Sequence, residues 1–325
     1  MPSTLRGSLL PLTVALVLAG AAPTAARAQD KPIDLGGSGQ SLEDLTGEGS
    51  TPLQITGFGV GDYSYDHLTG DNSARAGKLA LALFREVNDR VWFFGQLTTA
   101  LGTPEAGADE VPTEIEIDNL LVNFTPGGAS GLSLAFGKFD VPLGFERDDE
   151  PLNFQATNSF NYELGRPAKM VGLVGRWAVS PHVDLTALGG NGWDAQVDPN
   201  HGKTGGARLG LIPNEHASFG VGGLFGAEGE PGDLHNRFLL SADYALEVGN
   251  DWILGGEANL GGEPKALDGG GDARWYGATV SLFHRLSRHV GATVRGETFR
   301  DRDGLRTGVV QTLQSITFTP MVFVG

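Results

Sequence analysis

Charged side chains recur at alternating positions in this sequence, set among apolar neighbours: Arg176, Asp184, Arg208, Asp243, Glu257, Arg295 and Glu297. Successive side chains of a strand point to opposite faces of a sheet, so each of these groups belongs to a polar face backed by an apolar one. Charges arranged round a hydrated passage bias which ions cross it. A second charged run, Glu146-Arg147-Asp148-Asp149-Glu150, falls in the longest stretch without alternation, residues 141–168. These five are candidates for a constriction if that loop folds inwards, and form a solvated surface if it does not.

Neighbouring charges refine the expectation. If the turn at 249–251 is centred on Asn250, Asp243 and Glu257 face each other across a hairpin. Like charges so placed repel, so water or a cation is expected between them. Arg295 and Glu297 lie two apart on one face and partly neutralise each other. The expected lumen is of mixed charge with a weak preference for cations.

Other chemistry is poorly represented, and no catalytic, metal or cofactor site is assigned. The chain has no cysteine, hence no disulfide, thiolate metal site or cysteine nucleophile. The seven histidines are scattered, and none makes the i, i+4 pair with glutamate of a zinc protease. Asp301-Arg302-Asp303-Gly304 and the segment 268–272 faintly resemble calcium-binding turns, but no complete twelve-residue ligand loop follows. Gly57-Phe58-Gly59-Val60-Gly61 is not a dinucleotide loop, because strand alternation runs through it with no helix behind. No G-x-S-x-G elbow occurs.

The elements that would position these charges are strands. Among 325 residues, 50 are glycine, about twice the usual ~7% and without a three-residue period. Each interior glycine costs a helix roughly 1 kcal/mol, which disfavours helical bundles. With 23 basic against 39 acidic residues the net charge is -16, unsuited to nucleic-acid phosphates. From residue 52 onward period-2 alternation dominates. Phe238, Leu240, Ala242, Tyr244, Leu246 and Val248 share one face, and after Gly249-Asn250-Asp251 the return strand presents Trp252, Leu254, Gly256, Ala258 and Leu260. A second hairpin turning at Pro181 places Trp177 opposite Leu185 and Arg176 opposite Thr186, apolar to apolar and polar to polar.

About fourteen strands are expected, at 53–65, 77–87, 91–102, 114–124, 131–140, 169–179, 183–190, 205–212, 217–225, 236–248, 252–262, 273–285, 290–300 and 306–319. Short connections alternate with mostly longer polar ones, the pattern of an outer-membrane barrel with short periplasmic turns and long extracellular loops. Trp92, Trp177 and Trp252 each lie near a short turn, where one interfacial girdle belongs, and Trp275 with Tyr276 suits the opposite girdle. A soluble propeller or sandwich is the alternative, but it lacks support from any blade repeat at fixed period.

Residues 1–28 read as a cleaved signal peptide, with Arg6, an apolar stretch over 9–22 and Ala26-Arg27-Ala28 as the cleavage site. Cleavage removes two arginines and no acid, leaving 21 basic against 39 acidic residues, or -18. Residues 29–51 form a Gly/Ser/acidic periplasmic leader, and 52–325 the barrel. The fold class is therefore all-β, a transmembrane antiparallel up-and-down barrel. More than about eight strands is too wide for side chains alone to fill, which favours a channel.

Gly137-Lys138-Phe139 followed by Pro142-Leu143-Gly144-Phe145-Glu146 resembles the OmpL-like β-barrel porin family of Gram-negative outer membranes. Asn191-Gly192-Trp193-Asp194, and Arg306-Thr307-Gly308 with Gln311-Thr312 at the opening of the last strand, extend the resemblance over roughly 52–319. It implies a barrel for passive passage of small hydrophilic solutes or ions, with outer-membrane lipid and the barrel-assembly machinery as partners, homo-oligomers as in many porins, and no catalytic residues. Family members look about two strands longer, so either fourteen strands close the barrel or this chain is a truncated relative of a sixteen-strand form, the second reading being slightly favoured. The rivals are an outer-membrane hydrolase and a plugged structural or adhesive barrel.

Overall fold

The computed structural model describes residues 12–18, 53–65, 72–101, 113–127, 131–149, 152–230 and 232–323. Among the described residues, fifteen strands form one antiparallel sheet in which each pairs with its neighbours in sequence. They are β1 (Leu12–Leu18), β2 (Gln54–Tyr65), β3 (Asn72–Asn88), β4 (Val91–Leu101), β5 (Thr113–Phe124), β6 (Leu132–Asp140), β7 (Lys169–Ser180) and β8 (Val183–Gly190). After these come β9 (Thr204–Asn214), β10 (Ala217–Glu230), β11 (Asp233–Val248), β12 (Trp252–Leu267), β13 (Gly271–Arg285), β14 (Val290–Asp301) and β15 (Gln311–Val322). One short helix, α1 (Phe160–Gly165), lies between β6 and β7. Most of these strands meet or exceed the ~9–11 residues needed to cross a bilayer when tilted.

The sheet wears its apolar residues on the outside. On β11 Leu240 is 58% exposed while its neighbour Leu239 is 1% exposed. On β13 buried and exposed positions alternate over most of the strand. The outward face carries Leu173, Trp177, Val221, Phe225, Val280 and Phe318, all at least 40% exposed, as a lipid-facing surface requires. Polar groups such as Asp184, Arg208, Ser241, Glu257, Thr279 and Arg295 point inwards and are buried. The expected registers are present: Trp177 pairs with Leu185, Arg176 with Thr186, and Asp243 with Glu257.

Several expectations need correction. Trp275 is fully buried inside the sheet rather than in a girdle, whereas Tyr276 is half exposed. Consecutive residues must take opposite faces, so only one of the two can meet lipid. The last strand starts at Gln311, not 306, because Asp301 gathers the preceding turn. Its carboxylate accepts from the backbone N–H of Gly304, Arg306 and Thr307 and from the Thr307 hydroxyl. Residues 320–322, left outside a strand by the sequence pattern, complete β15. Apart from these corrections, β1 lies within residues 1–28 and pairs with β2, Leu12 opposite Tyr65 through Leu18 opposite Gly59, an arrangement that leaves the signal-peptide expectation untested. The leader 29–51 lies outside the described residues.

Among the described residues the sheet is open: its order runs from β1 to β15 without a pairing between the two. Fourteen strands remain when β1 is set aside, and alternation makes β2 and β15 antiparallel.

Candidate functional site

The segment between β6 and β7 turns into the barrel. Its first apolar residues, Val141 and Leu143, are 2% and 1% exposed and join an interior cluster with Phe139, Met170, Leu188, Trp193, Leu224, Leu239, Trp275 and Phe299. Inward-facing glycines clear the ground for it. A methyl group at Gly222 would stand 2.7 Å from Leu143 Cδ2, and one at Gly255 would stand 2.1 Å from the Phe145 ring. Part of the glycine excess is thus the complement of this loop.

Helix α1 is capped by Ser159, whose Oγ accepts from Tyr162 N at 3.1 Å, satisfying a donor the first turn would otherwise leave open. At its other end the Trp275 indole donates to Gly165 O at 3.0 Å, and Arg306 Nε to Leu164 O at 2.7 Å. Arg306 and Arg237 flank the Trp193 ring at 5.4 and 4.9 Å. The helix therefore lies against β12, β13 and β14. These strands are about half the sheet away from β6 and β7, so the loop crosses the interior.

Three charged groups of the far wall hold it there. Glu257 accepts from Phe145 N at 2.6 Å, Glu146 N at 3.1 Å, Asn161 Nδ2 at 3.1 Å and Arg166 Nε at 3.4 Å. Arg295 reaches Glu146 Oε1 at 3.1 Å, Thr157 Oγ1 at 3.0 Å, Asn158 O at 3.0 Å and Glu297 Oε1 at 3.4 Å, besides the carbonyl of Thr157. Glu297 in turn accepts from Phe160 N at 2.5 Å. These side chains are 0–2% exposed. Inside a protein such charge-assisted bonds are the strong ones. Burial, reinforced by the nearby Glu257 carboxylate, raises the Glu146 pKa above the usual carboxylate value.

The remaining sequence-chosen residues divide between walls. Asp243 and Glu257 do face each other, and each meets a cationic side chain, an arginine in both cases. Arg208 Nη2 meets Asp243 at 2.7 Å, and Arg166 takes Glu257. Asp184 lies 3.9 Å from Arg208 and 3.8 Å from Arg176. Arg147 is flanked by Arg166 and Arg208 and by Asp243 and Asp140, and burial lowers its pKa. Asp148 accepts from the Tyr162 hydroxyl at 3.1 Å and lies 3.2 Å from Lys169 and 3.9 Å from Lys78. Asp149 accepts from Gln96 Nε2 at 2.8 Å, and burial raises its pKa to about 6. Glu150 lies outside the described residues.

The family can now be read. A family model described as "Putative beta-barrel porin-2, OmpL-like" matches residues 94–322. The chain belongs to this porin family. The fold agrees with two solved porins. An anion-selective porin from Comamonas acidovorans aligns with a TM-score of 0.56 at 12% identity, over 82% of this chain and 83% of that one. OmpF of Salmonella typhi in complex with daunomycin aligns with a TM-score of 0.57 at 12% identity, over 84% and 86% of the two chains. No curated protein sequence matches. Membership carries with it a porin-like channel in the outer membrane.

Sequence reasoning missed Asp118, Lys169, Lys78, Gln96 and Arg166. Lys169 binds Asp118 at 3.0 Å, and Asp140 as well as Asp148. Asp118 had a legible signal in the strict alternation Glu114-Ile115-Glu116-Ile117-Asp118. The bulge beside it, where the register shifts opposite Gln96 and Leu97, turns Asn119 inwards as well, so the two are both buried.

Proposed function

We propose that this porin-like channel passes small hydrophilic solutes or ions passively, with the 141–168 loop as its constriction and no chemistry at the wall. The observation that carries the reading is the loop itself, fastened by buried ion pairs across an interior whose outer surface is apolar. Eight strands can be filled by side chains, so a wider barrel that is not to leak freely needs an inward segment of this kind. Arg176, Asp184, Arg208, Asp243, Glu257, Arg295 and Glu297 line that interior, and Glu146, Arg147, Asp148 and Asp149 belong to the constriction. The acid excess supports a weak preference for cations.

The reading of the N-terminus belongs to the same proposal. Removal of residues 1–28 as a signal peptide vacates the edge of β2 that β1 occupies. Closure of β2 on β15 then gives fourteen strands, an even number, and leaves no open backbone edge in lipid. Insertion by the barrel-assembly machinery and a homo-oligomeric state are part of the proposal. The test is single-channel recording of refolded residues 29–325 in a planar bilayer, with folding checked by heat-modifiable gel mobility. Discrete salt-dependent steps support the channel; a folded protein that stays silent refutes it in favour of a plugged barrel or an enzyme.

A further inference from the structure

Three arginines gather at one point of the outer surface of the sheet. Trp275 of β13 and Asp301 of β14 are paired and fully buried, so Arg274 and Tyr276 on one strand, and Arg300 and Arg302 on the other side, face outwards. Arg302 N donates to Arg274 O at 3.1 Å, which extends the ladder by one step and sets Arg302 directly across from Arg274. Arg300 pairs with Tyr276 and is therefore diagonal to Arg274. Arg274 and Arg302 are exposed and Arg300 half-buried. These strand ends lie at the same end of the sheet as the 141–168 loop, opposite the short turns, and hence on the extracellular side. Half-exposed Tyr276 marks the membrane interface there.

Like charges directly across a sheet destabilise it, and no acid offsets this pair. Among the described residues none of the three arginines makes an ion pair, and their guanidinium groups make one hydrogen bond, Arg300 Nη1 to Thr312 Oγ1 at 2.6 Å. The carboxylates of the adjoining turns are taken by backbone groups: Asp303 accepts from Arg274 N at 2.9 Å, and Asp272 from Lys265 N at 3.1 Å. Inside the sheet the rule is the reverse, since Arg166, Arg208, Arg237 and Arg295 each meet a carboxylate. Below the arginines the outward side chains shrink. The next row towards the bilayer centre is Ala258, Ala278 and Thr298, and the row after it contains Gly296. A Cβ at Gly296 would have nothing within 4 Å, while Val280 and Ile316 beside it are 47% and 84% exposed. A shallow trough thus leads from the arginines into the hydrocarbon region.

We propose that Arg274, Arg300 and Arg302 bind the phosphate headgroup of an outer-leaflet lipid, with one of its acyl chains lying in the trough over Ala278 and Gly296. Guanidinium forks take phosphate oxygens bidentately. A phosphate between Arg274 and Arg302 replaces their mutual repulsion with attraction to a shared anion, and Arg300 supplies a third fork. Charged side chains cost little at the edge of the bilayer, so the arginines hold this position in the empty site. A soluble phosphate would use the arginines and leave the trough unfilled; the lipid uses both. The inference is independent of whether the barrel conducts.

The test uses the refolded mature chain, residues 29–325, in detergent micelles, with folding checked by heat-modifiable gel mobility. The probes are diphosphorylated lipid A, the same lipid dephosphorylated, and inorganic pyrophosphate; the readouts are native mass spectrometry and thermal unfolding. Diphosphorylated lipid A is expected to be retained and to raise the unfolding temperature, and the other two probes are not. Arg274→Gln/Arg302→Gln is expected to weaken retention by about tenfold or more, the loss of two charge-assisted contacts. Without lipid its unfolding temperature is expected to match or exceed that of wild type, because the repelling pair is gone. Arg288→Gln, in the exposed turn between β13 and β14 at the opposite end of the sheet, is the control and is expected to retain the lipid. Retention by the double variant equal to that of the control overturns the proposal, as does equal retention of the dephosphorylated lipid. Pyrophosphate that displaces the lipid would assign the arginines to a soluble anion, and a double variant less stable than wild type without lipid would assign them to the fold; either result overturns it too.

Discussion

Glu257→Ala is the perturbation that most directly unfastens the loop. Its carboxylate is fully buried, accepts two loop backbone N–H groups and one loop amide, and pairs with Arg166, itself 2% exposed. Removing one partner of a buried ion pair costs about 3–5 kcal/mol, because the other charge is stranded. The stranded N–H groups of Phe145 and Glu146 add about 1–3 kcal/mol each unless water reaches them. At about 1.4 kcal/mol per factor of ten, the pair alone shifts the docked-to-undocked ratio by roughly two to three and a half powers of ten. Arg295 and Glu297 still hold the helical half of the loop, so the expected state is a partly released loop on an intact barrel. Single-channel records should then show larger, noisier steps, and trypsin should cut after Arg147, which is protected in wild type. Glu257→Gln, which keeps an acceptor and loses the charge, should fall between. A folded Glu257→Ala barrel with wild-type conductance, wild-type noise and an uncut loop would refute this account of how the loop is held.

Other consequences are quicker to state. Burial raises the Asp149 pKa from 3.8 to about 6, so lowering the pH from 8 to 5 should protonate it and reduce cation selectivity with a midpoint near 6, whereas Asp149→Asn should be flat over that range. The sign for stability follows: the penalty for ionised Asp149 is absent below the ordinary 3.8, sets in as pH rises, and is complete above about 6, so thermal stability should not gain from this group at alkaline pH. Gly137→Ala should abolish the folded gel band, because φ is +140° and a Cβ would stand 1.8 Å from Leu120 O. Trp275→Ala should cost about 3–5 kcal/mol and loosen α1, while Tyr276→Ala on the lipid side should leave the conductance unchanged.

The sheet was legible because strand periodicity converts sequence directly into faces. Trp177 opposite Leu185 and Asp243 opposite Glu257 could be read from alternation and turn position alone. The same rule, applied to one residue pair at a time, separates buried Trp275 from exposed Tyr276, and treating the pair as one girdle broke it. The loop was not legible. Its anchors join residues 112 positions apart at Phe145 and Glu257, and 149 apart at Glu146 and Arg295, and no local pattern encodes such a distance. The glycines carried a trace of it, since Gly222 and Gly255 lack side chains where Leu143 and Phe145 pack. The bulge beside Asp118 hid Asn119 for a related reason: one extra residue reverses the face that alternation assigns beyond it.

The measurement that tests the account most directly is thiol accessibility in the conducting channel. The chain has no cysteine, so single substitutions report cleanly. A positively charged methanethiosulfonate reagent is expected to reduce the conductance of Asp149→Cys, in the constriction loop. It is expected to leave Ser241→Cys untouched, since Ser241 is 3% exposed on the sealed wall. Block at Ser241→Cys with none at Asp149→Cys would contradict the account, placing the water path on the wall where the loop is fastened.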